Sequence, residues 1–240
     1  MHYIFVVSLG SKHTCFCGPL TQRSDPGHEG LFLSLAHDIG SALEYLHTHN
    51  PVMLHRDVKA ENVLVSTGWR AKLTGFVFLR TAAAGDVANT QVGTPYWTAP
   101  EIFRAEAYGC KVDVYSFAMT LVEMLQGAAP WSVEIAADPS LTAVSIAYTV
   151  ASEGGRPSIP EGVPPEVRAL LIGCWDHDVS LRFDMATALR AIEKLCPPAG
   201  PVARAGPACQ VGHEPNDSDR AHDFSHMFSP QDETLQITAT

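Results

Sequence analysis

Residues 55 to 62 read His-Arg-Asp-Val-Lys-Ala-Glu-Asn, and five of these eight side chains are ionisable. Short apolar runs, Val52–Leu54 and Val63–Val65, close the segment in on both sides. A polar loop pinned between strand-like runs is a usual setting for chemistry, because the frame holds the reacting groups still. The residue types differ as well as their charges. Asp57 can take a proton, Lys59 can neutralise a developing anion, and Asn62 offers a neutral oxygen. A reaction that moves a proton while negative charge builds up needs that mixture.

The elements that must position this loop are mainly helical. Leu35, Ile39, Leu43 and Leu46 recur at intervals of four, four and three, which predicts a helix from about Leu31 to the polar run His47–Asn50. A second helix is predicted over Val112–Leu125, where Val114, Phe117, Ala118, Leu121, Val122 and Leu125 make a face so wide that it must be buried on most sides. Further helical patterns cover 141–152, 165–174 and 185–195, separated by turns such as Gly154-Gly155-Arg156-Pro157. The first 30 residues open with a strand-like Tyr3–Val7 and then turn rich in Gly, Pro, Ser and Cys, which reads as irregular connection. After Cys196 large apolar residues thin out. Arg204 and Arg220 face Glu214, Asp217, Asp219, Asp223, Asp232 and Glu233, so residues 197–240 carry a net charge of -4 and are expected to be a disordered acidic tail.

Composition bounds what such a chain does. Its 240 residues, 46% hydrophobic and 18% charged, suffice for one substantial core. A net charge of -10, from 16 basic and 26 acidic residues, disfavours nucleic acid and anionic membranes as partners. No apolar run approaches the ~20 residues that span a bilayer. The apolar stretch Tyr3–Leu9 has no basic residue before it, so no signal peptide is expected. Six scattered cysteines, with Cys15 and Cys17 in a CxC rather than a zinc-binding spacing, suit a reducing compartment, and a cytoplasmic location is the expectation. His37, His47 and His49 read as surface or capping residues.

His55-Arg56-Asp57-x-Lys59-x-x-Asn62, followed by Val63-Leu64-Val65, resembles the catalytic loop of the protein kinase family. Gly93-Thr94-Pro95-Tyr96-Trp97-Thr98-Ala99-Pro100-Glu101 is similar to the end of that family's activation segment, and Asp113-Val114-Tyr115-Ser116-Phe117 to the start of its central helix. Cys174-Trp175-Asp176 and Arg182 match the region where kinases place a structural arginine. The resemblance implies an ATP- and magnesium-dependent transfer of phosphate to a protein substrate. Asp57 would orient the hydroxyl and accept its proton, Lys59 would contact the transferring phosphate, Asn62 would hold magnesium, and Leu64 would lie under the adenine ring. Phosphoryl transfer forms few covalent bonds to the protein, so it rests on a positioned base and on cations that neutralise phosphate charge. His55, Arg56 and Phe76 belong to the framework motifs. Glu101 and Arg182 would form an ion pair, Asp113 would brace the loop, and Thr94 would bond to Asp57 and Lys59. Thr81 and Thr90 could accept phosphate, the plain alternative being solvated threonines. Lys59 and Gly93-Thr94 are serine/threonine-kinase features, while Tyr115-Ser116-Phe117 and Cys174-Trp175 look like the tyrosine-kinase-like group. The implied fold is α+β: the mainly α-helical C-terminal lobe over residues 18–196 with a few short β-strands, the N-terminal lobe largely absent, and residues 1–17 its last strand and hinge.

One motif departs from the family at two of its three positions. Thirteen residues after Asn62, where kinases carry Asp-Phe-Gly, the chain has Gly75-Phe76-Val77. Glycine supplies no side-chain oxygen to replace the missing aspartate, and the β-branched Val77 stiffens the loop. No G-x-G-x-x-G loop or Val-Ala-x-Lys strand appears, and 54 residues before His55 are too few for the whole small lobe. The expectation is a catalytically impaired kinase-like module acting in signalling through protein contacts. The alternatives are an active serine/threonine kinase read from an incomplete sequence, and a non-enzymatic scaffold.

Overall fold

A computed structural model of the chain describes residues 4–9, 12–17, 26–66, 68–76, 79–81 and 94–195. Val77, Thr90 and the tail 197–240, each the subject of an expectation above, lie outside the described residues.

Helix α1 spans Pro26–Thr48, so it starts five residues before the apolar periodicity does. A proline in the first turn gives up an N–H that has no helical partner anyway, and its fixed φ suits the helix. The expected line Leu35, Ile39, Leu43 and Leu46 is buried, and α1 packs on the C-terminal helix α7, Met185–Leu195. Helix α3, Lys111–Gln126, has thirteen of its sixteen residues buried, the central core helix that the wide apolar face demanded. It stops at Gly127, whose φ of 68° lets its N–H turn back to the Glu123 carbonyl. Helix α6, Pro165–Cys174, and α7 have the bounds their periodicity gave.

Short elements complete the architecture: α2 (Pro100–Phe103), α4 (Ser132–Ala137) and α5 (Ala143–Tyr148). Thr142 and Ser145 cap the start of α5 reciprocally, and the expected helix over 141–152 consists of α5 followed by a π turn, Thr149–Glu153. One hydrophobic cluster joins α1, α3, α6 and α7. No described helix is long and apolar enough to cross a membrane.

The described strands come in antiparallel pairs. β1 (Ile4–Leu9) runs against β2 (Lys12–Cys17), with Ile4 opposite Cys17, so the reading of residues 8–30 as irregular is corrected by a second strand. Met53–Leu54 (β3) pairs with Arg80–Thr81 (β6), which places Thr81 opposite Met53. Val63–Val65 (β4) pairs with Ala71–Leu73 (β5). The loop from His55 to Asn62 therefore leaves one strand and enters another, each tied to a partner.

Candidate active site

The loop hangs from α3. Asp113, fully buried in the first turn of that helix, accepts bonds from the backbone N–H of His55 at 2.8 Å and of Arg56 at 2.7 Å. His47, from the last turn of α1, reaches the same carboxylate at 2.9 Å with its ring almost wholly buried. This corrects the surface reading of His47: the end of α1 is solvated in sequence terms, yet it abuts the start of α3. The three donors hold Arg56 at φ 65°, a left-handed conformation costly for a residue with a Cβ and retained where the surroundings fix it. Arg56 also points a guanidinium nitrogen at the Tyr108 hydroxyl, 3.4 Å away.

His55 Nε2 donates to the Thr74 carbonyl at 2.7 Å, and its Nδ1 accepts from the Asp57 N–H at 3.3 Å, which fixes the ring proton on Nε2. The edge of that ring meets half-exposed Phe76 with centroids 5.3 Å apart. Asp57 stands just beyond this anchor. Thr94 Oγ1 donates to its Oδ1 at 3.1 Å and accepts from Lys59 Nζ at 3.0 Å, so one hydroxyl joins the carboxylate to the ammonium. Lys59 Nζ is also 3.5 Å from Asp57 Oδ2 and 3.2 Å from Glu61. A carboxylate, a hydroxyl and a cation held in this order can orient an incoming hydroxyl and balance negative charge near it.

Asn62 closes the 3-10 turn Ala60–Asn62, and the β4–β5 pairing continues past it: Thr74 N–H donates to the Asn62 carbonyl at 2.8 Å. Gly75 is thereby pressed against the Asn62 side chain. The Asn62 amide nitrogen donates to the Asp57 carbonyl at 2.7 Å and to Asp57 Oδ2 at 2.9 Å. Gly75 adopts φ 78°, and a Cβ built on it would overlap Cγ and Oδ1 of Asn62 and come within 2.6 Å of Nδ2. The carboxamide fills the space that a side chain at position 75 would need. Leu64, half-buried in β4, sits opposite Lys72.

Glu101, in α2, and Arg182 form a buried two-pronged ion pair at 2.6 and 3.0 Å. Arg182 also donates to the carbonyls of Asp176 and Lys111 and lies over the Tyr115 ring. This pair is far from solvent and ties α2 to the segment before α7.

Glu123 was missed in the sequence. Its Oε2 accepts from the Ala60 N–H and from Trp97 Nε1, both at 3.0 Å, so one carboxylate on α3 joins the loop 55–62 to the turn Pro95–Trp97. Burial pushes its carboxyl up to about 7, against two donors and a distant Lys59 that pull the other way. The available signal was a carboxylate in the middle of a helix whose flanking residues are almost all apolar. Burial also raises the thiols of Cys110 to about 11 and Cys174 to about 12, which leaves both unreactive near neutrality.

The comparisons agree with the geometry. The family model for the protein kinase domain matches residues 16–192. A probable serine/threonine-protein kinase, drkA of Dictyostelium discoideum, is 34% identical over 69% of this chain and 24% of its own length. The serine/threonine-protein kinase CTR1 of Arabidopsis thaliana is 33% identical over 70% of this chain and 20% of its own. A putative serine/threonine-protein kinase/receptor, R831 of Acanthamoeba polyphaga mimivirus, is 38% identical over 67% of this chain and 9% of its own. The chain thus spans less than a third of the length of each of these relatives. A matched family model over most of the chain, and a loop built around Asp57, Lys59 and Asn62, place this chain in the protein kinase family.

Proposed function

We propose that this chain is a catalytically impaired kinase-like module of the serine/threonine type, within the tyrosine-kinase-like group, which acts in signalling through protein contacts. The observation that carries the reading is the exchange at Gly75. Kinases use ATP with magnesium, a hard cation that wants near-octahedral oxygen ligands, usually with one or two carboxylates among them. The residues present do not fit it. Position 75 has no side-chain carboxylate to give, and the Asn62 amide, which would have been the second ligand, occupies that position's side-chain space while bonding to Asp57. No step is therefore derived through the metal.

In this reading residues 18–196 are the large lobe, residues 1–17 the end of the small lobe and the hinge, and 197–240 an acidic tail. Leu64 borders the adenine position, Thr81 and Thr90 are candidate phosphate acceptors, and His55, Arg56, Phe76, Glu101, Asp113 and Arg182 are framework. The scattered cysteines favour a cytoplasmic setting. A second reading, an active ATP-dependent serine/threonine kinase acting on a protein substrate, draws on the intact chain from Asp57 through Thr94 to Lys59.

Thermal unfolding of the purified chain with ATP and magnesium varied separately separates the two. A ligand at a hundred times its Kd stabilises by about 2.7 kcal/mol, which for a domain of this size raises Tm by roughly 5–10 °C. The impaired module gives no shift that needs both ATP and magnesium together. A rise that appears only with both would favour the active kinase.

A further inference from the structure

Three pieces of the chain meet at Glu123 on α3. Ala60 donates its N–H to Oε2, and Trp97 donates its indole N–H to the same oxygen. Ser116, two turns earlier on α3, donates to the Trp97 carbonyl at 2.8 Å. Among the described residues, side chains alone bond Thr94 and the turn Pro95–Trp97 to loop 55–62: the Thr94 hydroxyl to Asp57 and Lys59, and Glu123 between Ala60 and Trp97. The seam is also imperfectly filled. Asp57, Thr94, Trp97 and Ser116 help to line a small cavity there, with room for roughly one water.

No nearby cation is bonded to Glu123. Lys59 is the cation that loop 55–62 brings close, and its ammonium is engaged with Thr94, Asp57 and Glu61. Glu61 adds a like charge. The turn contributes Tyr96 as its one ionisable side chain, and Met119, Thr120 and Gln126, the α3 residues a turn away, contribute none. A carboxylate taken out of water and supported by two neutral N–H groups ionises less readily than one in solvent. A motion that lifts the turn from the loop and wets Glu123 restores its ordinary acidity, so opening and proton release favour each other.

We propose that Glu123 is a proton-controlled latch: protonated, it holds the turn 94–97 on loop 55–62, and on ionisation it lets the turn lift and part Thr94 from Asp57 and Lys59. The cluster of Asp57, Thr94 and Lys59 is held most firmly in acid and loosens as pH rises to neutrality and just past it. The latch uses neither the Asn62 carboxamide nor Gly75, so it stands or falls apart from the metal reading.

Two hydrogens report on it directly, the Ala60 amide and the Trp97 indole N–H, both bonded to Glu123. Hydrogen exchange of the full chain, followed by NMR at pH 6, 7 and 8 beside Glu123→Gln, gives their protection factors, which are free of the intrinsic pH dependence of exchange. Trp97→Phe assigns the indole signal. Both hydrogens are expected to be less protected than the amides of Val114–Leu121 in the core of α3, the mark of an opening short of global unfolding. In the unaltered chain their protection falls about tenfold from pH 6 to pH 8, the change that linkage gives for a carboxyl at about 7 when closed and at its ordinary value when open. In Glu123→Gln it stays level. Protection equal to that of the α3 core overturns the proposal, because the turn then has no opening of its own. Protection that does not fall with pH overturns it too, and both results are read on the unaltered chain alone. An equal fall in Glu123→Gln would assign the effect to another group and sink the latch.

Discussion

Replacing Glu123 with glutamine isolates one buried carboxylate that spans the loop 55–62 and the Pro95–Trp97 turn. In the folded chain its carboxyl sits at about 7 instead of its ordinary 4.5. Because the value is raised, the folded state keeps a proton that the unfolded state has already released between those two pH values. This group's contribution to stability is therefore fully present below pH 4.5, declines as pH rises, and is lost above about 7. At about 1.4 kcal/mol per pKa unit the decline from pH 5 to pH 8 comes to about 2–3 kcal/mol. Glutamine does not ionise, and its carbonyl oxygen can still accept from Ala60 N–H and Trp97 Nε1. The stray amide hydrogens add a constant offset, so the informative quantity is the slope. Urea unfolding of both proteins at pH 5, 6, 7 and 8 measures it directly. The glutamine variant should gain on the parent by about 2–3 kcal/mol over that range. Stability differences that stay constant within ~0.5 kcal/mol, the usual precision of such comparisons, would mean that Glu123 titrates as an ordinary surface acid and that its burial costs the fold nothing.

Two further perturbations probe the frame. Arg182→Leu leaves the Glu101 carboxylate buried without its partner, and should lower unfolding free energy by about 3–5 kcal/mol in denaturant titration. Gly75→Ala forces a Cβ into a left-handed conformation and against the Asn62 amide, and should cost about 1–2 kcal/mol or more. In an Asn62→Ala background the overlap is gone, so the same change should cost at least about 1 kcal/mol less, and additive costs in the double-mutant cycle would refute the packing of Asn62 into the Gly75 space.

Much of this was legible because the signals were local. The wide apolar face of α3 could belong only to a buried helix, and Pro165 and the turn before Met185 mark the starts of α6 and α7. The loop from His55 to Asn62 and the loss at Gly75 were readable from residue type and spacing. What stayed hidden was tertiary. Two- and three-residue strands such as β3 and β6 exist through their partners, not through their own sequence. Polar residues at the end of α1 look solvated until Asp113 arrives beneath His47. Glu123 lies in the predicted helix, but nothing in its neighbours names Ala60 and Trp97 as its donors. Trp131, at φ 72° before α4, shows how a six-residue helix can begin without any capping residue to announce it.

The most direct test of the central claim is manganese, a paramagnetic stand-in for magnesium, titrated onto the chain with ATP while water proton relaxation is recorded, beside a Gly75→Asp variant. With Gly75 in place and Asn62 turned onto Asp57, no protein-bound manganese–nucleotide signal should appear, at any ratio, in the unaltered chain. A saturable relaxation enhancement in the unaltered chain, as strong as or stronger than in Gly75→Asp, would contradict the account, because the metal would then be held without the missing carboxylate.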